Sequence, residues 1–230
     1  MRNLKKLFLF LTIGLFFACG GKEDNIKFEE MSESEKISYL NAKIRKEPNN
    51  ADLFFKRSET LFKKGELTEA YSDIEKAILI DKKKVEYHVL KADILFTQGD
   101  TDLAFSALQT AKEVDGKYIE AYLKSAELSL YLKDYEKTMF DVKQAIILDK
   151  LNPTAYFLRG WALKEQGDTI NAVKDYQKAI ELKSDYEQAY EELGILYAQK
   201  GDALAIEYLN STININPKNY SAMYILALFY

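Results

Sequence analysis

His88 is the only histidine in this chain of 230 residues, and Cys19 is the only cysteine. Groups of these types act as nucleophile and base, or hold zinc in sets of four. Here neither has a second copy of its kind, so no zinc site or nucleophile pair can be completed around His88. Its place in the pattern described below predicts a packed residue. The glycines recur at regular intervals as turn residues and form no phosphate-cradling loop. Acidic residues are numerous, but spread over helix surfaces they serve solubility. The sequence therefore predicts no enzyme, no cofactor and no metal.

The element that places these residues is a repeat of 34 positions. Taking Pro153 as position 1, copies begin at Ala51, Val85, Ile119, Pro153 and Glu187. Position 8 reads Ser58, Ala92, Ala126, Gly160, Gly194, and position 20 reads Ala70, Ala104, Thr138, Ala172, Ala205. Position 27 is Ala77, Ala111, Ala145, Ala179, Thr212, while position 24 is bulky: Ile74, Leu108, Val142, Tyr176, Leu209. The fifth copy holds this register only if it loses one residue after Asp202. Each copy reads as two amphipathic helices about a turn carrying Gly65, Gly99, Lys133, Gly167 or Gly201. Glycine suits a helix stop at positive φ, and Lys133 is the costly exception. One such hairpin cannot bury its apolar side, whereas stacked copies can. His88 falls at position 4, with Phe54, Tyr122, Tyr156 and Tyr190.

These columns resemble the tetratricopeptide repeat (TPR) family over residues 51–219, with Trp absent from position 4 and only Pro217 supplying the repeat-ending proline. The resemblance implies an all-α fold, a right-handed superhelical solenoid of helix-turn-helix repeats. It divides the domain into a half-repeat 33–50, repeats 51–84, 85–118, 119–152, 153–186 and 187–219, and a last helix 220–230. It also implies that first helices line a concave groove, chiefly through positions 2, 5, 9, 12 and 13. On that basis an apolar track of Phe55, Val89, Leu123, Phe157 and Phe62, Phe96, Leu130 runs along four repeats, with Tyr131 and Trp161 beside it. Acidic rows flank it: Asp52, Glu86, Glu120 and Glu59, Asp93, Glu127. Two readings stay open. The aromatics close gaps between repeats while the acids keep the surface wet, or the groove holds a protein segment mixing apolar anchors with Lys or Arg. The pattern is unlike a carboxylate clamp, which needs Lys and Asn where this chain has Phe and Glu.

The N-terminal stretch has a different character. Arg2, Lys5 and Lys6 precede an apolar run of 11 residues, Leu7–Phe17, too short for a comfortable membrane span. Ala18-Cys19-Gly20 follows, similar to a bacterial lipobox, although Phe17 stands where a smaller residue is usual. The resemblance implies a signal peptide over 1–18, a covalent lipid such as palmitate on Cys19, and a lipid anchor in the outer membrane, at the cell surface or the periplasmic face. Residues 19–32 read as a flexible tether, in which Lys22-Glu23-Asp24 resembles a short export signal of surface lipoproteins. The formal charge of −4 falls to about −7 without the three basic residues of the signal, which argues against nucleic acid as a partner.

Ser32-Glu33-Ser34-Glu35 is a capping box that starts a helix at Glu33. At the other end, residues 220–230 read as the first helix of a sixth repeat. Met223, Leu226, Ala227 and Tyr230 are expected inward, and Tyr224, Ile225, Leu228 and Phe229 outward. Such an end is either a partly buried cap or a surface for self-association. The expected function is a lipid-anchored adaptor or scaffold that binds another envelope protein or peptide segment in its concave groove, in assembly of an outer-membrane or surface complex; the alternative is the ligand-binding component of a surface nutrient-uptake complex.

Overall fold

A computed structural model describes residues 27–230. The signal peptide, Cys19 and most of the tether lie outside the described residues. Twelve α-helices and no strand occur among the described residues: α1 (Glu33–Lys46), α2 (Ala51–Lys64), α3 (Leu67–Ile80), α4 (Val85–Gln98), α5 (Thr101–Val114), α6 (Ile119–Tyr131), α7 (Tyr135–Leu148), α8 (Pro153–Glu165), α9 (Thr169–Leu182), α10 (Glu187–Gln199), α11 (Leu204–Ile215) and α12 (Tyr220–Phe229). Helices pair as α2 with α3, α4 with α5, α6 with α7, α8 with α9 and α10 with α11. Successive first helices also touch, α2 on α4, α4 on α6, α6 on α8 and α10 on α12, whereas each second helix packs on the first helices before and after it. First helices therefore line the inner side of the curve.

The small-residue columns are the reason the pairs can form. Ala70, Ala104, Thr138, Ala172 and Ala205 are wholly buried, as are Ala77, Ala111, Ala145, Ala179 and Thr212. Their short side chains let two backbones approach to packing distance. The columns also compensate one another. In the fourth repeat position 24 is the largest of its set, Tyr176, and position 8 opposite it is Gly160. A Cβ at Gly160 would stand 2.9 Å from the Tyr176 ring, so glycine is what admits that tyrosine.

Turn geometry follows the same rule. Gly65, Gly99, Gly167 and Gly201 all have positive φ, and Lys133 takes the same conformation at φ 61. A side chain there costs about 1–2 kcal/mol relative to glycine. The residue missing from the fifth repeat is absorbed at the start of α11, which has 12 residues where the other second helices have 14.

Polar groups tie each pair. Position 7 meets position 23 through Arg57 and Asp73, two bonds of 2.6 Å, and through Arg159 and Asp175, two bonds of 2.7 Å. The third repeat has Ser125 at position 7, too short and uncharged to neutralise its partner. Ser125 Oγ donates to Asp141 at 2.6 Å, and the charge is met instead by Lys112 Nζ from the preceding repeat, also at 2.6 Å. Burial pushes Lys112 down, and Asp141 opposes that shift.

His88 fits its column. Its Nε2 lies 3.1 Å from the Lys82 carbonyl oxygen, so that nitrogen carries the proton. Tyr122 and Tyr156 hydroxyls donate to the Gly116 and Lys150 carbonyls at the same 3.1 Å, one and two repeats later. In these three repeats position 4 ties the first helix to the turn before it, and His88 does what tyrosine does in the next two.

The two ends depart from the sequence-based expectation in opposite directions. Residues 28–30 of the expected tether form a 3-10 turn, Phe28–Glu30, whose Phe28 ring packs 5.7 Å from Tyr39 on α1. On α12 the inward residues are Ala222, Ile225, Leu226 and Phe229, not the expected set; of those only Leu226 is correctly placed. Met223, Ala227 and Tyr230 face outward instead. The reason is that positions 4, 8 and 11 of a first helix face the second helix of the same repeat, and none follows α12 among the described residues.

Candidate interaction groove

The concave face is built from α4, α6 and α8, and on it the apolar track expected from the sequence is largely closed. Val89, Leu123 and Phe157 are only 6%, 7% and 9% exposed. They fill the seams where one first helix meets the next. Phe157 is held between Tyr176 at 5.6 Å, Tyr186 at 5.1 Å and Trp161 at 6.1 Å between ring centroids. Leu130 is likewise buried. Phe55 is half-buried against Tyr87 at 4.9 Å, and Phe62 is half-buried without an aromatic partner. Phe96 is half-buried and meets Tyr131 edge-on at 5.3 Å. What remains open to solvent is Tyr131, 72% exposed, and Trp161, 37% exposed.

The acidic rows are also modified. Asp93 forms an ion pair with Lys124 at 3.2 Å, joining α4 to α6. Burial raises the Asp93 carboxyl above its usual range, and Lys124 pulls it part of the way back. Burial works to lower Lys124, but Asp93, with Glu127 and Glu120 behind it, carries the ammonium above the usual lysine range. Burial also raises Glu59, against Lys63 and Lys56. Asp52 accepts a 2.6 Å hydrogen bond from the Tyr87 hydroxyl, which burial first and Asp52 second push far above the usual tyrosine range. Glu86, Glu120 and Glu127 stay exposed, so the uncompensated negative charge gathers on α4 and α6.

Between these groups lie two cavities. One, of about 230 Å³, is bounded by Phe62, Asp93, Phe96, Lys124 and Glu127, among others. The second, of about 280 Å³, is bounded by Leu123, Lys124, Glu127, Phe157, Trp161 and Tyr186, among others. Lys124 and Glu127 form the wall they share. Along three consecutive first helices, aromatic side chains on each flank (Phe62 and Phe96, then Phe157, Trp161 and Tyr186) alternate with the charged pair Lys124 and Glu127.

Of the residues expected from the sequence, Phe62, Asp93, Phe96, Glu120, Leu123, Glu127, Phe157 and Trp161 line these cavities. Phe55, Glu59, Val89 and Tyr131 do not. Sequence reasoning missed Lys124, Thr154, Tyr186 and Gln188. Lys124 sits one place past the groove column at position 5, and its partner is in the preceding repeat, so no repeated column marks it. Tyr186 closes the fourth repeat and is signalled only by its neighbour Phe157.

Comparison with known proteins agrees with the fold. The family described as tetratricopeptide repeat matches residues 51–84 and 85–118, and the one described as TPR repeat matches residues 162–201. The BBSome complex member BBS4 of Bos taurus is 32% identical over 95 residues, which are 41% of this chain and 18% of that protein. The photosystem I assembly protein Ycf3 of Rippkaea orientalis is 30% identical over 79 residues, 33% of this chain and 46% of that protein. The chain thus spans less than half of either relative. Among solved structures, YrrB, described as a TPR protein with an unusual peptide-binding site, superposes with a TM-score of 0.57 at 17% identity, covering 82% of this chain and 97% of its own. This chain carries tetratricopeptide repeats folded as a TPR solenoid.

Proposed function

We propose that this protein is an adaptor that holds a segment of another protein along its concave face. The observation that carries the reading is the pair of cavities either side of Lys124 and Glu127. At about 230 and 280 Å³ each falls below the roughly 300–1,000 Å³ of small-molecule pockets. Two small cavities, each with aromatic and aliphatic side chains on one side and the Lys124–Glu127 wall between them, suit alternate side chains of one peptide better than one soluble nutrient. Exposed Glu120 and Glu127 favour Lys or Arg between the two apolar anchors, and they select against acidic segments. The peptide-binding site in the description of YrrB, and the assembly and complex roles in the names of the two relatives, support the same class of work.

The adaptor is anchored to an envelope membrane through a lipid on Cys19. Support comes from the sequence alone: the basic start, the run Leu7–Phe17, and Ala18 before the lone cysteine. The anchor places the groove at the outer membrane, facing the periplasm or the cell surface, where it would hold an envelope protein during assembly. Cys19→Ser should move the protein from the membrane fraction to the soluble fraction; retention in the membrane would remove the anchor from this reading.

Trp161 is the only tryptophan and lines the second cavity, so its fluorescence reports occupancy. Titration with peptides of apolar-basic-apolar pattern should shift its emission saturably, and Glu127→Lys should weaken that response at least tenfold. Equal response to peptides with Glu in place of the basic residue would reject the proposed selectivity. No response to any peptide would remove the groove from the account.

A further inference from the structure

The two groove cavities do not lie level. On α4 the first is bounded by Ala92, Asp93, Phe96 and Thr97, at repeat positions 8 to 13. On α8 the second is bounded by Thr154, Phe157, Leu158 and Trp161, at positions 2 to 9. A shift of about five positions along a helix is ~7 Å. Sideways, the first cavity straddles α4 and α6 and reaches back to Phe62 on α2, whereas the second straddles α6 and α8 and reaches on to Gln188 on α10. Their centres are thus about one to one and a half helix spacings apart, at roughly 8–10 Å per spacing. Together the two components separate the centres by on the order of 11–16 Å.

We propose that the segment held in the groove is an extended strand with apolar side chains at i and i+4 and Lys or Arg at i+2. This names the ligand of the adaptor reading above and rests on it. An extended chain advances ~3.3 Å per residue, so i and i+4 stand about 13 Å apart and share a face with i+2. An extended pair at i and i+2 spans only about 7 Å, and a polyproline pair at i and i+3 about 9 Å. One turn of α-helix covers about 5.4 Å and two turns about 10.8 Å.

Two helical turns come nearest, and the rim of the second cavity argues against them. A helix bonds its own amides and carbonyls, whereas an extended segment arrives with its backbone groups unpaired. Thr154, Trp161 and Gln188 bring hydroxyl, indole and amide groups to that rim, and Trp161 and Gln188 are exposed. Midway between the cavities, the i+2 side chain meets the shared wall of Lys124 and Glu127. Lys124 is held by Asp93 at 3.2 Å, which leaves exposed Glu127 to receive the incoming cation. Backbone bonds supply affinity and the two cavities fix the register, as where pockets take alternate side chains of a strand.

The test is fluorescence anisotropy of labelled peptides with the purified full chain. The reference peptide, GSLSKSLSG, carries leucine at i and i+4 with lysine midway. The others keep one lysine between leucines set two, three or seven residues apart. The reference should bind at least tenfold more tightly than each of them. Replacing its two inner serines by α-aminoisobutyric acid, which imposes a helix, should weaken it at least tenfold. Trp161→Ala, at an exposed position, should remove the preference for the four-residue spacing. Equal binding at every spacing, preference for another spacing, undiminished binding of the helical peptide, or a preference that survives Trp161→Ala would each overturn the register and leave the adaptor reading standing. Absence of binding by every peptide would overturn both.

Discussion

The two ends of the solenoid solve the same problem in opposite ways. Each is half a repeat whose partner helix is not among the described residues. At the N-terminal end that face is made unattractive: Lys36 pairs with Glu33 at 2.9 Å, Lys43 lies over the Tyr39 ring at 5.6 Å, and Phe28 folds back on Tyr39. At the C-terminal end it is left apolar and open. Terminal repeats normally carry a polar outer face, because a solenoid grows by stacking and an uncapped end invites more of it. The contrast teaches that equivalent half-repeats of the described residues differ in how their unpaired faces are dressed, with charge and aromatic cover on α1 and apolar side chains on α12.

Four experiments bear on the comparison. The largest effect is expected from Leu40→Ala, since Leu40 is 1% exposed and is the one fully buried side chain of α1. It should cost about 2–5 kcal/mol at the N-terminal end, whereas Leu228→Ala on the open face should change stability by no more than ~0.5 kcal/mol. Denaturant titration read with hydrogen exchange in α1 and α12 separates the two; equal losses would mean that the open face is already covered.

The helix caps come next. Asn219 accepts from the Ala222 amide at 2.8 Å and donates to Glu187 at 2.9 Å and Glu191 at 3.0 Å, tying α12 to α10. Asn219→Ala should cost about 2 kcal/mol of protection in α12. Ser32→Ala, which breaks the reciprocal capping box with Glu35, should cost about 1 kcal/mol in α1.

Replacing Lys36 and Lys43 together by alanine restores the small residues of a full repeat at the N-terminal end. Stability should change by less than ~1 kcal/mol in a denaturant titration. A larger loss would show that the lysines hold α1 in place through Glu33 and the Tyr39 ring.

The smallest effect is one of pH. The Ser32 hydroxyl and backbone amide hold Glu35 below its usual range. Its stabilisation of α1 is therefore present above the unfolded value, near 4.3, and is lost as pH falls through the lower folded value. Exchange in the first turn of α1 should rise over that interval, and Glu35→Gln should remove the dependence.

The groove was legible only in part, and the reason lies in neighbours. Columns read one repeat at a time place Val89, Leu123 and Phe157 on the concave side, which is correct. Whether they are open depends on how tightly the next first helix follows, and here Tyr186 and Tyr176 close over Phe157. Asp93 reads as an acid like Glu127, yet Lys124 of the following repeat neutralises it. The same limit misplaced Met223 and Ala227, whose inward direction needs a second helix to define it.

The sequence by itself determined the repeat, its register, the twelve helices and the turns, because those rest on local contacts between small and bulky residues within one hairpin. The tertiary structure alone decided which apolar side chains stay open and which charges remain unpaired. Those properties belong to pairs of residues some thirty apart, such as Lys112 with Asp141 and Lys124 with Asp93. Their meeting is set by the curvature of the stack, which no single repeat encodes.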